Sequence, residues 1–162
     1  MKLYRPESNP RRLLGQLLWF GAWAAVTVIA ALLHPDKHGH GTHQQLGLPP
    51  CPSVLLFDRP CPGCGLTTSW TALMHGDFAH AFAAHPLGPL LYLAFTISAF
   101  LCLYGWRKGL LLETDTPSFN WRFGVALTIF LGFGFFRMAT TPHFASPQER
   151  FMVSFDREMR SR

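Results

Sequence analysis

Leu13-Leu14-Gly15-Gln16-Leu17-Leu18-Trp19-Phe20-Gly21-Ala22-Trp23-Ala24-Ala25-Val26-Thr27-Val28-Ile29-Ala30-Ala31-Leu32-Leu33 decides the class of this fold. Gln16 is its single strongly polar residue. As a helix the run extends about 30 Å, the hydrocarbon thickness of a bilayer. Two more apolar runs follow, Leu87 to Trp106 and Trp121 to Ala139. Arg137 falls near the end of the last run, where its long stem is expected to snorkel toward the headgroups. The pattern predicts an all-α integral membrane protein, a single membrane domain over 1–162 with transmembrane helices at 13–33, 87–106 and 121–139. Composition agrees, with 49% hydrophobic and only 14% charged residues, unusual for a soluble domain.

A cleavable signal peptide is the competing reading of the first run, since Lys2, Arg5, Arg11 and Arg12 precede it. Its length argues against that, because the apolar core of a signal peptide is typically ~7 to 15 residues. The net charge of +5 raises nucleic acid as a partner. The basic residues flank apolar runs and form no stripe interleaved with aromatics, which excludes that class and leaves the lipid bilayer. Lys2, Arg5, Arg11, Arg12, Arg107, Lys108 and Arg122 on one side balance Lys37, Arg59, Arg137, Arg150, Arg157, Arg160 and Arg162 on the other. The first helix usually dominates orientation, so the N-terminus is expected in the cytoplasm and the first loop outside.

That loop, residues 34–65, is rich in Cys and His, and up to Pro50 it has neither a helical nor a strand period. Ser53 to Phe57 is a short apolar run, and Asp58-Arg59-Pro60 turns the chain into Cys61-Pro62-Gly63-Cys64-Gly65. Beyond it, Leu66, Trp70, Leu73 and Met74 recur at helical spacing, with Thr67 or Thr68 placed to cap. Gly76 ends that helix, and Asp77 is placed to cap a second one over Phe78 to Ala84. This 66–85 pair carries His75, Asp77, His80 and His85, so it is expected at the interface or re-entering under protein cover rather than crossing hydrocarbon. At the C-terminus, Ser146-Pro147-Gln148-Glu149 reads as a capping box. It opens an amphipathic helix over 146–162 with Phe151, Phe155 and Met159 on one face.

Three thiols, Cys51, Cys61 and Cys64, are the candidate site. A CPxCG turn aims two thiolates at one ion, and zinc wants four ligands. His38, His40, His43 or His75 can supply the fourth, although solvated histidines are the commoner reading of so flexible a segment. The same spacing admits a disulfide or thiol exchange. Cys64 lies just ahead of a helix N-terminus, whose dipole would favour its thiolate. Cys102, inside the second apolar run, reads as a packing residue. Gly132 and Gly134, with Thr128, would let another element approach the third span closely, and Trp19, Trp23, Trp106 and Trp121 read as packing or interface anchors. No acid/base pair or cofactor fingerprint accompanies the thiols, so catalysis is not expected. The leading reading is a cysteine-stapled cap, held by a structural metal such as zinc or by a disulfide, with an interaction or assembly role toward another membrane protein or itself. The alternative is thiol–disulfide exchange or metal handling.

Residues Cys51 to Leu93 resemble the domain-of-unknown-function 2752 family of small bacterial membrane proteins. The resemblance rests on Cys51-Pro52, Cys61-Pro62-Gly63-Cys64-Gly65-Leu66-Thr67, Gly76-Asp77 and Pro86-Leu87-Gly88. Thr68 stands where that family usually has arginine, and His85 where it has asparagine. The resemblance implies a multi-pass protein of the bacterial cytoplasmic (inner) membrane, with the motif and the helices after it behaving as one module. It implies no activity.

Overall fold

In the computed structural model, which describes residues 3–7 and 9–160, nearly every element is helical. Lys2 and Arg162, two of the charges weighed above, lie outside the described residues. Three helices are long and apolar enough to cross a membrane: α1 (Pro10–Leu32), α5 (Gly88–Lys108) and α6 (Pro117–Thr140). The chain is thus a multi-pass membrane protein. Between α1 and α5 lie three short helices, α2 (Pro52–Phe57), α3 (Leu66–Met74) and α4 (Phe78–Ala84). The last helix is α7 (Pro147–Arg160).

Each helix boundary follows from local chemistry. Proline occupies the first turn of α1, α2, α5, α6 and α7, where its missing N–H costs nothing. Asn9 accepts from the Arg11 amide, Thr116 from the Phe119 amide and Asp77 from the His80 amide at 2.9 Å. Gly109 closes α5 in the left-handed region at φ 65°.

Helices α1 and α5 form the main pair. Trp19 Nε1 donates to Ser98 Oγ and Trp23 Nε1 to Thr96 Oγ1, both at 3.0 Å, while Thr27 and Tyr92 share a bond at 2.8 Å. Such rungs matter in lipid, where apolar burial drives helix association little. Trp19 and Trp23 also meet Phe95 and Phe100 edge-on.

One element has no helical signal. Residues Tyr4–Pro6 (β1) pair antiparallel with Leu110–Leu112 (β2), Tyr4 opposite Leu112. Gln16 joins them to α1: its Nε2 donates to the Leu110 carbonyl at 2.9 Å, and its Oε1 accepts from the Leu112 amide at 3.1 Å. The one strongly polar residue of the first apolar run is therefore a buried clasp rather than an interruption. Through it, the N-terminal segment and the α5–α6 connection occupy the same end of the molecule.

The cysteine loop, α3, α4 and α7 gather at the opposite end. Helix α3 packs against α4, α1 and α5. Trp70 donates to the Gly88 carbonyl at 3.0 Å, and Gly88 lies so close to Ser69 that no side chain fits there. Two local expectations are corrected. Gly65, not Thr67 or Thr68, caps α3, because the left-handed turn at φ 90° places both threonines inside the helix. The segment before Pro50 is no featureless loop: Thr42–Leu46 forms a 3-10 turn, with Thr42 fully buried and bonded to Thr68 Oγ1 at 2.8 Å.

Candidate metal centre

Cys51 is the residue before α2, whose single working turn ends when Asp58 enters the left-handed region at φ 52°. Ser53 Oγ closes this reversal on the Arg59 carbonyl at 3.1 Å. The chain returns through buried Pro60 to the CPxCG turn, where the Cys64 amide donates to the Cys61 carbonyl at 3.0 Å. Gly65 is required twice over. Its φ of +90° suits glycine, and a Cβ there would collide with the Ala84 carbonyl and come within 2.8 Å of the Gly39 carbonyl.

This folding-back brings Cys51, Cys61 and Cys64 together, their sulfurs all within 4.8 Å of one another. The Cys61 and Cys64 sulfurs are 3.4 Å apart, and all three thiols are free. A tetrahedral zinc–thiolate site sets sulfurs about 3.8 Å apart, from bonds of about 2.3 Å. The three thiols thus sit close enough to bind one metal ion.

Their acidities are split. Cys61 is lowered to about 5, first by the hydrogen bond from the Cys64 thiol, against the effect of burial, with help from the Cys51 thiol and the amides of Gly63 and Cys64. Cys64 is pushed up by the same bond, by burial and by the charge on Cys61. This runs against the expectation that the helix dipole favours the Cys64 thiolate. Cys64 is also the more buried of the two.

None of the four candidate histidines lies in the thiol cluster among the described residues. His38 Nδ1 bonds Asp36 at 2.9 Å, and His75 Nδ1 faces the Thr71 carbonyl at 2.9 Å. His43 Nε2 faces the Pro49 carbonyl at 3.2 Å. His40 is not the solvated side chain expected of its segment. It is buried, with Nε2 on Glu149 Oε2 at 2.9 Å, Nδ1 on the His38 carbonyl at 3.2 Å, and its ring stacked on Phe144. His40 and His43 nonetheless help to line a pocket of about 390 Å³ that the three thiols share with Leu48, Thr67 and Thr68.

The most informative side chain beside the thiols comes from α6. Arg137 does not snorkel outward. Its Nη1 donates to the Cys64 carbonyl at 2.8 Å and its Nη2 to the Ala84 carbonyl at 2.9 Å, with the guanidinium over the Phe144 ring. Arg59 reciprocates from the loop, donating to the Met138 and Ala139 carbonyls at 2.9 and 2.8 Å, which otherwise end α6 unpaired. Gly134 makes the approach possible, since Pro62 lies where its Cβ would be, whereas Gly132 faces open space. His85 completes the cradle. Fully buried against Phe130 and Phe133, it donates from Nε2 to the Pro62 carbonyl at 3.1 Å, and burial pushes its pKa down, favouring the neutral ring. An asparagine amide can make the same donation.

These partners were missed in the sequence, although one signal existed. An arginine inside an apolar run is a functional candidate in its own right. The turn thus carries a cation despite Thr68, supplied from a different element. On the far side, Asp58 accepts from the Ala145 amide and contacts His143, which ties the α6–α7 connection to α2.

Residues 51–99 match the model of a family described as protein of unknown function (DUF2752). The matched stretch runs from the first thiol through α3 and α4 into α5, so it contains the whole thiol cluster with Arg59 and His85, while Gly134 and Arg137 lie beyond it. No curated protein and no solved structure matches the chain.

Proposed function

We propose that the three thiols hold a soft divalent metal, zinc foremost, and that the loaded centre is the clasp of a cap at one face of a bacterial cytoplasmic membrane. The role is interaction or assembly, with another membrane protein or with a second copy, rather than catalysis. One observation carries the reading: Cys51, on a different turn from the CPxCG pair, is brought within 4.8 Å of both other sulfurs. A disulfide needs only two cysteines, whereas a third convergent thiol suits a shared ion. Charge supports one sidedness: Arg59 and Arg137 answer carbonyls inside the protein, so the remaining basic residues next to the spans, Arg11, Arg12, Arg107, Lys108 and Arg122, gather at the β-ribbon end, which favours that end in the cytoplasm and the thiols outside.

Thiol exchange is the second reading, favoured by the opposed acidities of Cys61 and Cys64. Metal analysis of protein purified in mild detergent separates the two. The clasp requires about one zinc per chain, lost in Cys61→Ser and Cys51→Ser. Metal-free protein with a readily reduced Cys61–Cys64 bond rejects it in favour of exchange.

A further inference from the structure

Structural zinc sites are closed by four protein ligands, and three-ligand sites keep a position for something from outside. Among the described residues no fourth ligand stands with the three sulfurs. His38, His43 and His75 are each engaged elsewhere, and among the described residues no histidine or carboxylate joins the sulfurs. His40 is the most firmly committed: leaving would strip the buried Glu149 carboxylate of a partner.

Meanwhile the three thiols open onto a pocket. Its volume of about 390 Å³ lies within the range of small-ligand clefts. Leu48, Pro49, Pro50, Thr67 and Thr68 line it beside the thiols. A metal already held by three thiolates selects a soft fourth donor. The extra negative charge is offset by the N-terminus of α3 beside Cys64 and by the Arg137 guanidinium on the Cys64 carbonyl.

Resting on the metal reading above, we infer that the fourth coordination position faces this pocket and is taken by the thiolate of a small exogenous thiol, which makes the centre exchangeable rather than permanent. The step is a ligand substitution without redox. The incoming thiol releases its proton to solvent as its sulfur bonds the metal. The metal then leaves with the newcomer as the protein sulfurs detach and take up protons.

Cobalt(II) loaded into the full chain in detergent tests this, with 2-mercaptoethanol and imidazole as probes. The sulfur-to-cobalt charge-transfer band should report three thiolates and rise by about one third, four against three, with the thiol. Imidazole should not reproduce the rise, and the thiol should speed cobalt transfer to a chelator. Thr67→Trp, which fills the pocket, should keep the three-thiolate band and lose the response. A wild-type band deaf to thiol, with a nitrogen ligand lost in His43→Ala or His40→Ala, overturns the inference and leaves the metal reading intact. Failure of cobalt to give any charge-transfer band overturns the metal reading and this inference together.

Discussion

The first two spans and the third are fastened by opposite means. Helices α1 and α5 meet along their length, through hydrogen-bonded rungs at Trp19, Trp23 and Thr27; Gln16 ties α1 to the β-ribbon, and the ribbon's Tyr4 donates to the Leu101 carbonyl of α5. Among the described residues, α6 packs its backbone closely against neither. Its attachments lie toward its C-terminal end: Phe130 and Phe133 on His85, Gly134 against Pro62, Arg137 on Cys64 and Ala84, and its last carbonyls on Arg59. The main pair would survive loss of the cysteine turn, whereas the third span is held to the molecule through that turn. Whatever organises the thiols therefore also organises α6.

The largest effect should come from filling the contact that lets α6 approach. Gly134→Leu puts a side chain into the space of Pro62, and relief requires α6 or the turn to move. The cost should be about 3 kcal/mol, at the upper end for overpacking, seen as a lower unfolding midpoint in detergent and loss of cross-links between α6 and the turn. Gly132→Leu, one turn's small residue away but facing open space, should change neither. Equal damage from both would mean that α6 is held along its length after all.

Arg137→Ala ranks next. It leaves the Cys64 and Ala84 carbonyls without their charged donor, for a loss of about 2 kcal/mol. Cys64 should be alkylated faster as the turn loosens, while the α1–α5 rungs stay protected from hydrogen exchange. Arg137→Lys should rescue only in part, since a single ammonium cannot span both carbonyls in the planar geometry of a guanidinium. A variant whose Cys64 reacts at the wild-type rate would separate the third span from the thiol site.

The contrast between the spans also marks what could be read from the chain. Three spans follow from length and hydropathy, which bilayer physics fixes almost alone. The close approach of the thiols was legible as a possibility, because proline and glycine shape the CPxCG knuckle locally. Arg137 and Arg59 were not legible as partners, since each answers carbonyls exposed by an element far along the chain. Gln16 was visible as an anomaly, but its partners are backbone atoms of Leu110 and Leu112, which carry no side-chain signature. His40 was misjudged because glycines on both sides suggest mobility, whereas Gly39 and Gly41 bend the chain at positive φ and drive the ring inward against Phe144.

The smallest effect expected is confined to α7, and its sign can be worked out. The capping box forms as the sequence suggests, with the Ser146 amide on Glu149 Oε2 at 2.8 Å, and the same carboxylate reaches His40 and Gln44 in the loop. Burial raises the pKa of Glu149, but the Ser146 amide and the His40 ring outweigh it and bring it below the ordinary value of 4.5. A carboxyl group lowered on folding binds its proton more readily when released, so docking gains stability above the ordinary value and loses it as pH falls through the folded one. Below pH 4.5, α7 should therefore come away from the loop while α1 and α5 remain paired, seen as faster proteolysis after Arg150 with the span amides still protected. Glu149→Gln should flatten that pH dependence at the cost of weaker docking at neutral pH. If α7 and the α1–α5 pair instead lose protection together, the cap and the spans form one cooperative unit, and the division between a firmly paired half and a suspended third span fails.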